Sequence, residues 1–358
     1  MNNNNNIAEG DWLNWRWQVQ HLIRTKEAAD EALTLTDEEK AGFDCKSLRM
    51  PFSITPYYAS VIKDVPALRK CYLPSVKEMA PAAYETEDPL GEEKCSPAPN
   101  LFHKYNNRVL LMVGNTCPCY CRYCTRGRMA RGFNFYDDWE PALYYIAKHE
   151  EIRDVLISGG EPLFVLSDEK LNELLDRLCA IPHIDIVKIG SKVPITMPMR
   201  ITDDLIKILK AHNPVILSLH VNRAEEITPL VAEKLNKLAD NGILMGSQSV
   251  LLKDVNDDAK VLYDLFYKLL VNRVRPYYLF QCDPINGSSH FRVPVEKGLE
   301  LMDELRKTAS GYAIPTYAID IPNRFGKIAV LPNRIKGKTA DGMLEVENFD
   351  GEIYKYPS

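Results

Sequence analysis

Between residues 108 and 321 the chain repeats one pattern, a short run rich in branched aliphatic residues followed by a longer segment of helical periodicity. The runs at 108–113, 154–158, 184–189, 214–220, 244–250, 275–280 and 316–321 read as strands. The segments near 138–149, 167–181, 202–211, 228–241, 257–272 and 295–308 read as helices, with Ser167 and Thr202 as N-caps and Pro229 near the first helical position. Strands this apolar need cover on both faces, and a helix-length connection returns the chain in the same direction, so the sheet is expected to be parallel. Six or more such units imply an α/β barrel, open or closed, with its site at the C-terminal ends of the strands.

The remainder divides around that barrel. Asn2–Asn6 are low-complexity, and Trp12, Trp15, Trp17, Val19 and Ile23 begin an amphipathic helical region running to about residue 80. Residues 81–100 mix Pro, Glu, Asp and Gly and read as a connecting arm. The expected units are a helical extension with its arm over 1–100, the barrel over 101–322, and a C-terminal loop and tail over 323–358, with Lys327 in the loop. A net charge of -5 offers no broad basic surface, which argues against nucleic acid as a partner. No apolar stretch approaches the ~20 residues of a membrane span, and Met1 is followed by asparagines without a basic-then-apolar leader. The expectation is a cytoplasmic protein with no membrane partner.

Four of the nine cysteines (45, 71, 95, 117, 119, 121, 124, 179, 282) fall within eight residues. Disulfides between such close neighbours are geometrically poor, so the cluster reads as metal chemistry. Cys117, Cys121 and Cys124 have the spacing C-x3-C-x2-C, which places three thiolates round one face of a [4Fe-4S] cubane and leaves one iron open to a chelating ligand. A zinc site would want a second cysteine or histidine pair, and none follows. Cys119 fits no position in this spacing; a register that uses it as a ligand stays open beside its reading as a bystander. The remaining cysteines read as small core residues.

The cysteine spacing resembles the radical S-adenosylmethionine (SAM) signature. Tyr123 stands where those enzymes pack a ring near the adenine, and Ser158-Gly159-Gly160-Glu161 stands where they bind the amino end of SAM. A Gly-Gly turn alone is an ordinary strand-to-helix turn; after this cysteine motif it carries weight.

The resemblance narrows over most of the chain, from WLNWRWQ (12–18) to Phe349-Asp350-Gly351. It runs through HKY (103–105), RVL (108–110), CRYCTR (121–126), SGGE (158–161), IGS (189–191) and QSVLL (248–252). It continues through VRPYY (274–278), QCD (281–283), DIP (320–322), Gly326-Lys327 and LPN (331–333). These segments resemble the lysine 2,3-aminomutase family. The resemblance implies a partial (β/α)6-type TIM barrel with a helical N-terminal extension, and an isomerase carrying a [4Fe-4S] cluster, SAM and pyridoxal 5'-phosphate (PLP). In such an enzyme a 5′-deoxyadenosyl radical takes hydrogen from C3 of the substrate and the α-nitrogen migrates there. Carried over by position, Lys327 is the lysine that bears PLP, and Lys104, Tyr105 and Arg108 hold its phosphate. Ser191, His220 and Gln248 join Tyr123, Gly159, Gly160 and Glu161 near SAM. Arg126 takes the substrate carboxylate, and Asp283 and Asp320 take the distal ammonium of a basic amino acid. An external one-electron donor, flavodoxin or ferredoxin-like, is implied as well.

Several positions depart from the family pattern. Asn323-Arg324-Phe325 replace a glycine run, Phe280 a tyrosine, Lys104 an arginine and Glu161 an aspartate. The family's C-terminal cysteine cluster has no counterpart before Ser358, and Asp258 stands at the matching internal cysteine. The expectation is no structural zinc, and a homo-oligomer of different or weaker kind. Arginine or a modified lysine would suit two carboxylates as well as lysine does. A radical SAM enzyme without PLP and a non-catalytic metal-binding protein are the alternatives of other classes.

Overall fold

The computed structural model describes residues 8–46, 48–130, 135, 138–322 and 326–357. Nine strands form one sheet in strict sequence order: β1 (Leu101–Tyr105), β2 (Arg108–Met112), β3 (Asp154–Ser158), β4 (Ile186–Ser191), β5 (Val215–His220), β6 (Leu244–Leu251), β7 (Arg275–Gln281), β8 (Thr316–Ile321) and β9 (Gly326–Ala329). β2 to β8 are mutually parallel, while β1 and β9 add antiparallel strands at the two ends. Helices α1 (Glu140–Lys148), α2 (Asp168–Cys179), α3 (Asp203–Ala211), α4 (Pro229–Asp240), α5 (Ala259–Val271) and α6 (Val295–Thr308) fill the six crossovers. The result is a partial (β/α)6 barrel.

Burial explains the layering. Along β3, Val155 and Ile157 are fully buried beneath the helices, whereas Asp154, Leu156 and Ser158 alternate onto the other face and line a cavity. On α2, Leu171, Leu174, Leu175 and Leu178 form a buried stripe at helical spacing, each contributing roughly 1.5–3 kcal/mol by leaving water. Ser167 and Thr202 cap α2 and α3 by accepting from Lys170 and Leu205 N–H, and Pro229 opens α4. Asp258 caps α5 by accepting from Val261 N–H at 3.0 Å.

The extension is helical but not continuous. It breaks into Glu9–Trp12, Trp15–Gln20, Lys26–Leu33, Asp37–Phe43, Pro56–Ile62 and Pro66–Tyr72, because Thr25, Thr36 and Thr55 start new helices as caps and Pro56 and Pro66 cannot continue old ones. Beyond β9, Ile335–Lys338, Leu344–Glu347 and Ile353–Tyr356 make a separate antiparallel three-stranded sheet. Among the described residues no helix is long and apolar enough to cross a membrane.

Candidate active site

A cavity of about 500 Å³ extends from the C-terminal ends of the strands, at Ser158 and His220, down to Arg108 and Asp154 at the starts of β2 and β3. Cys117, Cys121 and Cys124 all line it, with Cys119 between them. Burial pushes the Cys117 thiol well up, reinforced by the neighbouring Cys124 and Glu161, and pushes Cys121 up to about 11 against the opposing charge of Lys192. Cys119 is pushed up to about 12, again by burial. Three cysteines on the lining of one cavity fit the donor set of a [4Fe-4S] cluster, whose irons would favour the thiolate forms that burial alone disfavours.

The extension shapes this loop. Tyr120 N–H donates to Ser53 O and Arg122 N–H to Cys71 O, at 3.2 and 2.8 Å. The Arg122 side chain, fully buried between two ligand cysteines, forks onto Glu78 and also donates to Pro51 O at 3.0 Å. Arg49 donates to the carbonyls of Cys124 and Arg122, both at 3.0 Å. These contacts join residues more than 40 positions apart in sequence, which is why the cysteine spacing alone did not announce them.

The Gly-Gly turn ends β3. A Cβ on Gly159 would lie 2.4 Å from Gly114 O, and one on Gly160 would lie 2.3 Å from Thr116 O. The close approach that demands glycine is therefore to the strand exit leading into the cysteine loop, where Gly160 N–H and Glu161 N–H bond to Gly114 O and Thr116 O. Both glycines and Glu161 line the cavity. Glu161 accepts from Ser191 Oγ at 2.6 Å and from Lys192 N–H at 2.7 Å, and burial raises its carboxyl to about 7. Ser191 itself sits behind Glu161 rather than on the cavity wall. Tyr123 lines the cavity and accepts from Asn222 Nδ2 at 2.6 Å. His220 and Gln248 are register partners on β5 and β6, both on the wall; burial lowers His220 to about 4.

Lys327 lies on β9, opposite Asp320 of β8, rather than in a loop. Its Nζ is 3.5 Å from Asp320 Oδ2 and stands 4.0 and 4.9 Å from the Phe280 and Tyr278 ring centroids. Burial lowers its pKa, with Asp320 opposing. From the opposite end of the sheet, β1 brings Tyr105 within 3.3 Å of where a Cβ on Gly326 would project, and the Arg108 guanidinium stacks 3.8 Å over the Tyr105 ring. Lys104 Nζ donates to Leu90 O at 3.2 Å. A partly desolvated amine beside two stacked aromatic rings, with cations nearby, fits a flat, phosphate-bearing aldehyde such as PLP.

Asp283 follows β7 and shares the cavity with Asp320 and Arg126. Burial raises the Asp283 carboxyl to about 7, and the neighbouring Asp320 adds to the shift. Arg126 is engaged by Glu92, with Nη2 2.5 Å from Oε1 and Nε 3.1 and 3.2 Å from the two oxygens. Sequence reading passed over Glu92, taken as part of a featureless arm, and over two further charged groups on the wall. Lys188 pairs with Asp154 at 2.6 Å, and Lys192 with the fully buried Glu226 at 2.6 Å. A charge at an inward position of an otherwise apolar strand was the available signal for Lys188. Asn2–Asn6, Asn323, Arg324 and Phe325 lie outside the described residues.

Residues 302–358 match the family described as Lysine-2,3-aminomutase. The chain is 44% identical over 361 residues to an L-lysine 2,3-aminomutase of Clostridium subterminale, spanning 98% of this chain and 85% of that protein. It is 41% identical over 357 residues to an L-lysine 2,3-aminomutase of Bacillus subtilis, spanning 98% and 75%. A glutamate 2,3-aminomutase of Clostridioides difficile is 36% identical over 355 residues, spanning 98% and 84%.

Proposed function

The chain belongs to the lysine 2,3-aminomutase family, and from that premise we propose that it isomerises L-lysine to β-lysine by moving the α-amino group to C3. The observation that carries the substrate is the pair Asp283 and Asp320, on the same cavity as Arg126. Two neighbouring carboxylates repel each other and are relieved by a distal ammonium, whereas a glutamate side chain would add a third anion beside an Asp283 already raised to about 7 by burial and Asp320. Arg126 suits the α-carboxylate because its fork can bind two oxygens together.

Cys117, Cys121 and Cys124 would hold the [4Fe-4S] cluster, with Tyr123, Gly159, Gly160, Glu161, His220 and Gln248 around SAM. Lys327 would bear PLP, and Lys104, Tyr105 and Arg108 would hold its phosphate. When bound, the cluster and SAM supply one-electron chemistry at an unactivated carbon, and PLP supplies the conjugated carbonyl that carries the migrating nitrogen. The chain's own residues bind, orient and shield. Burial lowers the Lys327 pKa toward the neutral amine, while Asp320 at 3.5 Å opposes that shift and orients the amine in the cavity. The neutral His220 adds no charge to the SAM side of the cavity. The buried Lys192–Glu226 pair fixes that wall without leaving an unpaired charge. Free thiols throughout fit a reducing, cytoplasmic setting, and the one-electron chemistry calls for an external donor, flavodoxin or ferredoxin-like.

An anaerobic assay of the reconstituted protein with SAM, PLP, a reductant and L-lysine should give β-lysine by mass spectrometry, and Asp283→Ala should abolish it. Product from arginine alone would refute lysine as substrate; SAM cleavage with neither product would refute the assignment of both aspartates.

A further inference from the structure

The arm over residues 85–92 meets the cavity at two places, beside Asp283 and beside Arg126. At one end Thr86 forms a bridge with Ile285, two residues beyond Asp283. There Glu85 also accepts from Gly287 N–H at 3.0 Å and from Ser288 Oγ at 3.2 Å. At the other end Glu92, its side chain 8% exposed, grips Arg126 along the Nε–Nη2 edge. Glu92 Oε2 also lies 3.5 Å from Arg128 Nη2, and Arg128 is itself bonded to Glu93 at 3.1 Å and paired with Asp88 at 3.2 Å. Arg126 Nη1 makes no hydrogen bond to any described residue, and Arg126 lines the cavity.

We propose that Glu92 is a positioning residue for Arg126, holding the guanidinium by one edge so that the Nη1 edge is presented to the substrate's α-carboxylate. The proposal rests on the reading that Arg126 binds that carboxylate. A guanidinium has two hydrogen-bonding edges, so two carboxylates can share it, one side-on and one end-on. Glu92 takes the side-on edge. Arg128 is shared among Asp88, Glu92 and Glu93, so what leaves Arg126 open to a second anion is its unoccupied Nη1 edge on the cavity, not a surplus of local positive charge. Because the same short arm is pinned beside Asp283, it also sets the span between the carboxylate end and the ammonium end of the ligand, and so the length of amino acid that fits.

The opposite view, that Glu92 competes with substrate for Arg126, predicts the reverse sign. Steady-state kinetics of the reconstituted holoenzyme separate them. Glu92→Ala should raise KM for L-lysine about tenfold, the effect of freeing one long side chain that binding must then order. It should leave kcat within about twofold, since only binding is affected. Glu92→Asp should recover part of the loss. The inhibition constant of L-lysinamide, which has no carboxylate, should stay unchanged. A KM that is unaltered or lower, or a lysinamide constant that rises in step, would overturn the proposal. Arg126→Lys run beside it isolates the premise: if that variant also leaves KM unaltered, the carboxylate assignment of Arg126 fails instead. Glu92→Gln, similar in shape and uncharged, serves where the alanine variant does not fold, with the same expected direction.

Discussion

Asp283→Asn should stabilise the protein at about pH 8 while removing its ability to take lysine, and both effects come from one buried charge. The Asp283 carboxyl titrates at about 7 in the fold and at 3.8 when free. Below 3.8 it is neutral in both states and costs nothing. As pH rises from 3.8 to about 7 the unfolded chain ionises first, so stability drains away; above about 7 the whole penalty stands. At about 1.4 kcal/mol per tenfold, that interval sets a ceiling of roughly 4 kcal/mol at about pH 8 and under half of that at about pH 5. Water on the cavity face of the carboxylate brings the figure below the ceiling. Urea unfolding followed by circular dichroism, for both proteins at both pH values, gives the comparison. A variant no more stable at the higher pH would refute the argument. A gain of equal size at both pH values would trace the effect to packing instead of ionisation.

The same carboxylate governs turnover. It must be anionic to meet the lysine ammonium, so kcat/KM should fall about tenfold from about pH 8 to about pH 6, whereas inhibition by L-norleucine, which lacks the distal ammonium, should not follow; parallel profiles would speak against Asp283. Lys327→Ala should lose the visible absorbance of bound PLP after reconstitution and dialysis, and a variant that keeps it would remove Lys327 from its role. Glu78→Gln leaves the Arg122 charge buried with only neutral carbonyls for partners, at a cost of about 3–5 kcal/mol, and should also lower the iron retained on anaerobic reconstitution. The double variant Glu78→Met with Arg122→Met should recover stability, and iron and unfolding midpoints unchanged in the single variant would show that the Glu78–Arg122 pair does not hold the cysteine loop.

The barrel was legible because each crossover carries two periodicities and a cap. Residues 154–158, 316–321 and 295–308 were bounded as the structure has them. β1 was missed although Asn106-Asn107 mark a turn before β2, because His103, Lys104 and Tyr105 break the apolar alternation. β9 was read as a loop: it is four residues long and opens on a glycine at φ +86. The strands of the C-terminal sheet have little burial to pattern them, with every residue of Ile353–Tyr356 exposed. In the site, the cysteines and the Gly-Gly turn were visible because they are local. The Glu92–Arg126, Glu78–Arg122 and Lys192–Glu226 pairs were not, since each joins residues at least 34 apart and no spacing records them.

β1 and β9 are the first and last strands of the nine-stranded sheet, yet Tyr105 of one packs against Gly326 of the other. The wall of the barrel thus has a seam, and the residues assigned to a single cofactor are divided across it, Lys104, Tyr105 and Arg108 on one flap and Lys327 on the second. A molecule gripping both flaps acts as a buckle, since whatever binds the closed wall and not the open one favours closure by mass action. Loosening at the seam and release of that molecule are then one event, and the amides of Leu101–Tyr105 and Gly326–Ala329 should exchange with solvent as one cooperative unit despite the length of chain between them, which hydrogen-exchange mass spectrometry would read directly.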